Sequence, residues 1–207
     1  MSFGTKVDAL ETQKIGLIMY SSRTQHLLVV GDIHGFPETF VELLDVGCLE
    51  HRVLELADLS GRPGLRGDDL HDHLVNKDGM QHAVRALREI NGRTCFGIGF
   101  SSGGTALWGA VKEGLEIQAL ICVSSTRLRL ETSALNIPSM VFWGELDPYR
   151  PTEKWNDAVP GCCKTYPGKH HDFYRVDALA PYSPLRTDIG AFIESVSLHS
   201  GGPAPAC

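Results

Sequence analysis

Ser101 lies in the run Cys95-Phe96-Gly97-Ile98-Gly99-Phe100-Ser101-Ser102-Gly103-Gly104, where an apolar stretch with strand character leads into Gly-x-Ser-x-Gly. A helix-like segment, Thr105 to Glu113, follows at once. Strand, serine, helix is the order of a nucleophile elbow, in which a sharp turn lifts the hydroxyl clear of a sheet. Gly99 and Gly103 fit such a turn, because strand and helix approach so closely that a Cβ at either place would collide. A serine hydroxyl is a poor nucleophile at neutral pH. It needs an imidazole to take its proton and a carboxylate to hold that imidazole in the right tautomer. Both residue types occur downstream, in the chain order serine, acid, histidine. Asn136 to Pro148 reads as a buried strand ending in a polar turn that carries Asp147. Tyr166-Pro167-Gly168-Lys169-His170-His171-Asp172-Phe173 puts histidines in a loop after the short apolar segment Cys162 to Tyr166. Together these groups have the chemistry for acyl transfer through a serine ester.

The elements that would position them alternate between strand and helix. Ile15 to Tyr20 and Leu27 to Ile33, separated by a polar turn around 21–25, read as an N-terminal hairpin. Pro37 to Leu44 has proline at a helix start and apolar residues at Phe40, Val41, Leu43 and Leu44. Val53 to Leu59 reads as a strand, followed by a Gly-rich loop from Ser60 to Gly67. Met80, Ala83, Val84, Leu87 and Ile90 repeat at a helical period. Ile117 to Val123 is a further buried strand and Asp188 to Val196 a closing helix. Residues 1–13 and 199–207 read as frayed tails. Alternating strands and helices imply a three-layer α/β/α sandwich around a mostly parallel, doubly wound sheet. The serine, the acid and the histidine loop then fall at the C-terminal ends of strands, the edge on which such sheets build sites.

From about Leu27 to Phe192 the chain resembles the α/β-hydrolase-fold serine hydrolases, dienelactone-hydrolase-like members in particular. His34-Gly35-Phe36-Pro37-Glu38-Thr39-Phe40 is similar to the loop after that family's third strand, and Ile137 to Pro148 to its acid-bearing strand. In the histidine loop of dienelactone-hydrolase-like members, histidine stands three residues after the glycine. By that resemblance His171 is the base, with His170 its neighbour and fallback, Ser101 the nucleophile and Asp147 the acid. The resemblance also implies two backbone oxyanion donors. One is the N–H of Ser102. The second is the N–H of Phe36 if the loop follows epoxide-hydrolase and dehalogenase relatives, the preferred reading, or of Ile33 if it follows dienelactone hydrolases. Those dehalogenase and epoxide-hydrolase reactions use a carboxylate nucleophile; Ser101 points to ester chemistry instead. Relatives often insert a cap before the acid-bearing strand, whereas only Ser124 to Asn136 is available here, so a minimal lid and an open site are expected. The implied activity is hydrolysis of small carboxylic esters or thioesters by one domain, 1–207, without a cofactor. The alternative is a non-catalytic binding or scaffold protein of the same fold.

Charge and composition narrow the partners. A net charge of −6 with no basic tract argues against nucleic acid. No apolar run approaches the roughly 20 residues that span a bilayer. Met1 to Gln13 lacks a basic flank and an apolar core, so no cleaved secretion signal is expected. Of the six cysteines, Cys95 and Cys122 fall in apolar strand-like runs, and Cys162 and Cys163 are adjacent and should not bridge each other. A reduced, cytoplasmic setting is the expectation. Gly31-Asp32-Ile33-His34-Gly35 resembles the first motif of calcineurin-like metallophosphoesterases, but the second Gly-Asp motif and the Gly-Asn-His-Glu box are missing, so no metal is expected there. Asp68-Asp69-Leu70-His71-Asp72-His73 reads as a solvated helix start rather than a metal cluster. Arg62, Arg66 and Trp108 are polar or aromatic candidates for the pocket, each read more readily as ordinary surface or core. Oligomeric state is not encoded in these patterns.

Overall fold

Parallel strands covered on both faces need apolar residues at every position, and the runs that meet this demand form the centre of the sheet. The computed structural model describes residues 26–36, 50–90, 95–177 and 183–198. The hairpin partner at 15–20, the helix expected at 37–44 and both tails lie outside them. In chain order the elements are β1 (His26–Val30), β2 (Glu50–Leu54), α1 (Leu56–Leu59), α2 (Gly67–Asn76), α3 (Gly79–Arg88), β3 (Cys95–Phe100) and α4 (Ser102–Lys112). There follow β4 (Ala119–Val123), a 3-10 turn (Thr126–Leu130), β5 (Ser139–Gly144), α5 (Glu153–Ala158), β6 (Cys162–Tyr166), α6 (Phe173–Asp177) and α7 (Pro184–Leu198). The strands pair in the order β2-β1-β3-β4-β5-β6, and every pairing is parallel.

Alternation along each strand divides the core in two. Leu28, Val30, Leu120, Cys122, Val141 and Trp143 face one layer, filled by α1 to α5. Leu27, Val29, Ile98, Ile121, Val123 and Phe142 face the other, filled by α6 and α7. Strand β3 shows the rule most sharply. Phe96, Ile98 and Phe100 fill the second layer, while Gly97 and Gly99 leave the first face bare. A Cβ on Gly99 would strike the backbone of Gly104, and one on Gly103 the carbonyls of Val30 and Gly31. The missing side chains thus let α4 lie directly on the sheet behind Ser101.

One strand boundary is corrected. The strand expected over Val53 to Leu59 is instead Glu50–Leu54, and Leu56–Leu59 is helical. Among the described residues β2 ends the sheet, with Glu50, His51 and Arg52 exposed, so its pairing asks for no apolar run. The apolar residues after it serve a helix that buries Leu56 and Ala57. A second correction concerns redox state. Cys162 is disulfide-bonded, whereas Cys122 and Cys163 are free thiols. A uniformly reduced chain therefore does not describe this structure. Among the described residues, no helix is long and apolar enough to cross a membrane.

Candidate active site

The order β2-β1-β3 reverses direction between β1 and β3, the kind of crevice outside strand C-termini where open α/β sheets bind ligands. Ser101 stands at the end of β3 beside it. Its backbone has φ 48° and ψ −117°, a conformation that costs a non-glycine residue on the order of 1–3 kcal/mol. The strain is held on both sides. Its N–H donates to the Val123 carbonyl of β4 at 2.8 Å, and its own carbonyl accepts from the Thr105 N–H at 3.3 Å as α4 begins. The hydroxyl consequently stands above the sheet.

Acid and histidine reach the same rim because two turns are stitched together. Glu145 N–H donates to the Tyr166 carbonyl at 3.0 Å, and Leu146 N–H to the Lys169 carbonyl at 2.8 Å. Gly144 makes this possible, since a Cβ there would strike the carbonyls of Lys169 and His170. The result is one hydrogen-bonded chain. Ser101 Oγ lies 3.2 Å from His171 Nε2, and His171 Nδ1 lies 2.7 Å from Asp147 Oδ2. The other oxygen, Asp147 Oδ1, accepts the Tyr149 N–H at 2.9 Å. Asp147 is an acceptor only, so Nδ1 carries the hydrogen and the lone pair of Nε2 faces the serine. The Asp147 side chain is fully buried while that of His171 remains 35% exposed. His170 is exposed and uses its backbone carbonyl against Phe173 N–H instead.

A cavity of about 540 Å³ opens over this chain, within the roughly 300–1,000 Å³ common for small-molecule sites. Ser101, Ser102, His171 and Ile33 all line it; Phe36 does not. Ser102 heads α4, where the first N–H groups have no partner within the helix. In the loop after β1, Gly35 N–H donates back to the Asp32 carbonyl at 3.1 Å. That turn leaves Ile33 at the cavity and carries the Phe36 ring under the site to Phe100, with centroids 5.8 Å apart.

The same loop is anchored by a buried carboxylate. Asp32 accepts hydrogen bonds from Arg175, from the Tyr174 hydroxyl and from its own turn through His34 N–H at 2.7 Å. Arg175 and Tyr174 belong to α6, which follows the histidine loop. Burial first, and the neighbouring Asp32 charge second, push the Tyr174 phenol well above its ordinary value. Asp32 is thus occupied as a structural acceptor. Among the described residues no group of three His, Cys, Asp or Glu side chains is placed to hold a metal ion.

Sequence reasoning missed most of the cavity wall. His71, Leu74 and Val75 of α2 and Met80 of α3 line it, as do Arg127, Arg129 and Tyr149. The three candidates named from sequence lie elsewhere. Trp108 is fully buried core, Arg66 pairs with Glu55 at 3.1 Å, and Arg62 borders a separate cavity with Asp69 and Lys77. In the Asp68 to His73 segment, the acids at 68 and 69 are solvated as expected. His73 is buried, donating Nε2–H to the Ser60 carbonyl at 3.0 Å. No large cap interrupts the fold after β4, where only the 3-10 turn separates it from β5.

No protein-family model matches this chain. No curated protein matches it in sequence either. Solved structures do resemble it. ClbQ from the colibactin NRPS/PKS pathway is 12% identical, with a TM-score of 0.57 over 84% of this chain and 99% of ClbQ. Esterase PE8 is 13% identical, with a TM-score of 0.55 over 84% of this chain and 93% of the esterase. The RedJ thioesterase of prodiginine biosynthesis in Streptomyces coelicolor is 13% identical, with a TM-score of 0.52 over 84% and 90%. At such identities the likeness is one of fold, and the fold is that of the α/β hydrolases.

Proposed function

We propose that this protein is a serine hydrolase that cleaves carboxylic esters or thioesters through an acyl-enzyme. The observation that carries the reading is the hydrogen-bonded chain Ser101–His171–Asp147 at the floor of an accessible cavity. Ser101 Oγ attacks the acyl carbon and gives its proton to His171 Nε2, while the carbonyl π pair moves onto oxygen. Asp147 keeps the Nδ1 hydrogen in place and stabilises the imidazolium as it forms. Collapse of the tetrahedral species breaks the bond to the leaving alcohol or thiol, which departs with the proton from Nε2. Water then repeats both steps and frees the acid.

The developing oxyanion needs donors aimed at its position in the transition state, each worth about 10²–10³-fold in rate. On this reading they are the N–H of Ser102 and the N–H of Ile33, rather than that of Phe36. Ile33 shares the cavity with Ser101, whereas the Phe36 ring belongs to the core beneath it. The esterase and thioesterase names carried by two of the similar structures agree with this chemistry. The test is hydrolysis of p-nitrophenyl esters from acetate to palmitate. Turnover lost in Ser101→Ala with a short-chain optimum is expected. Turnover that survives in Ser101→Ala would overturn the assignment of the nucleophile, and a palmitate optimum would contradict the expectation of a minimal lid.

A further inference from the structure

The cavity around Ser101 has two chemically different walls. The loop after β1 and the helices that link β2 to β3 supply Ile33, Leu74, Val75 and Met80, with His71 the one polar side chain among them. The connection after β4 supplies Arg127 and Arg129. Neither arginine has a carboxylate partner among the described residues. Arg129 donates Nη1–H to the Thr126 carbonyl at 2.8 Å and lies 5.9 Å from the Tyr149 ring centroid, an arrangement that fixes its direction. Arg127 is exposed, and among the described residues its guanidinium makes no hydrogen bond or ion pair. The acids closest in the chain or in the site are already engaged, Glu131 by Lys112 at 2.5 Å and Asp147 by His171. In a molecule of net charge −6, this wall therefore carries two cationic side chains with no carboxylate partner among the described residues.

The polarity of the reaction fixes which part of a substrate meets which wall. His171 returns its proton to the leaving group, so that group lies on the histidine's side. His171 is held there by Asp147, two residues before Tyr149, on the same rim as the arginines. The acyl chain is left with the largely apolar wall of Ile33, Leu74, Val75 and Met80. We infer that the substrate joins an apolar acyl group to a leaving group bearing a carboxylate or a phosphate, and that Arg127, with Arg129 behind it, binds that anion. This inference rests on the hydrolase reading of the same site. A planar guanidinium can grip either anion through two parallel N–H donors, which glutamine cannot reproduce and lysine reproduces only as a point charge.

Three butyryl thioesters test it, made with 2-mercaptoethyl phosphate, with mercaptoacetate and with neutral N-acetylcysteamine. A fourth, the succinyl thioester of N-acetylcysteamine, moves the negative charge to the acyl side. The readout is kcat/KM for each charged thioester divided by that for the neutral one, compared between the wild type and Arg127→Gln so that intrinsic leaving ability cancels. A fall of about 10-fold in this ratio is expected for a leaving-group anion at low ionic strength. Arg127→Lys should restore part of it, and added salt should erode it in the wild type. A fall for phosphate alone or for carboxylate alone identifies which anion the wall recognises. An unchanged ratio for both, or a fall seen only with the succinyl compound, overturns the inference while leaving the hydrolase reading intact. Failure to turn over any of the four, the neutral one included, overturns the inference, and if p-nitrophenyl esters are not hydrolysed either, the hydrolase reading falls with it.

Discussion

Arg175→Met isolates the buried anchor that joins the loop after β1 to the helix after the histidine. Methionine keeps much of the apolar stem and removes the charge. Asp32 would then be a carboxylate with 4% of its side chain exposed, keeping only the Tyr174 hydroxyl and the His34 N–H. Breaking a buried ion pair from one side typically costs 3–5 kcal/mol, because the surviving charge is stranded. Arg175 itself is 27% exposed, so water can reach the gap and the lower end applies, about 3 kcal/mol. For a chain of this length that corresponds to a fall in Tm of about 6–12 °C. Urea unfolding of the wild type, Arg175→Met, Asp32→Asn and the double variant measures it as a cycle. Asp32→Asn added to Arg175→Met should recover stability, with a coupling of at least ~1.5 kcal/mol, since the stranded charge is gone. Arg175→Met within about 0.5 kcal/mol of wild type, or strictly additive costs, would refute the anchor.

Asp147→Asn should lower kcat by about 10⁴-fold with the fold intact, because asparagine can donate to Nδ1 and favours the wrong tautomer of His171; steady-state kinetics beside thermal melts check both halves. A drop below tenfold would remove Asp147 from the chemistry. Burial pushes the Cys163 thiol up to about 11 and raises that of Cys122 as well. At pH 8 on the order of one Cys163 in a thousand is then thiolate. Iodoacetamide should leave both unmodified in the native protein and label them after unfolding, read by peptide mass spectrometry. Tyr174 sets an alkaline limit. Its folded pKa is raised, so its contribution is complete below the ordinary tyrosine value near ~10 and is lost as pH climbs through the shifted one. Melts of the wild type should therefore decline above about pH 10 more steeply than those of Tyr174→Phe.

The three side chains that meet at the site, Ser101, His171 and Asp147, were legible because residue type, turn context and chain order restrict them together. Gly99 and Gly103 announced the elbow, and Asp147 and His171 each follow an apolar run that had to be a strand. The register of the donor loop was not legible. Whether Ile33 or Phe36 reaches the cavity depends on a turn closed between Asp32 and Gly35, and Gly-Asp-Ile-His-Gly permits either. Nor was the anchor visible, since Asp32 and Arg175 lie 143 residues apart and nothing local pairs them. β2 was misplaced because a strand that exposes Glu50, His51 and Arg52 has no apolar run to mark it, so the run beyond it was free to turn helical. The cavity wall hid for a related reason. α2 carries acids along its solvent side, which masks the few inward residues, Leu70, His73 and Leu74, on a short helix.

Labelling with a fluorophosphonate, followed by peptide mass spectrometry, asks most directly whether the oxygen of Ser101 is made reactive by His171. One adduct is expected, on Ser101, formed rapidly in the wild type and slowed at least about 10³-fold in His171→Ala. No adduct on Ser101, or one that forms equally fast without His171, would contradict it and leave the fold as a binding scaffold.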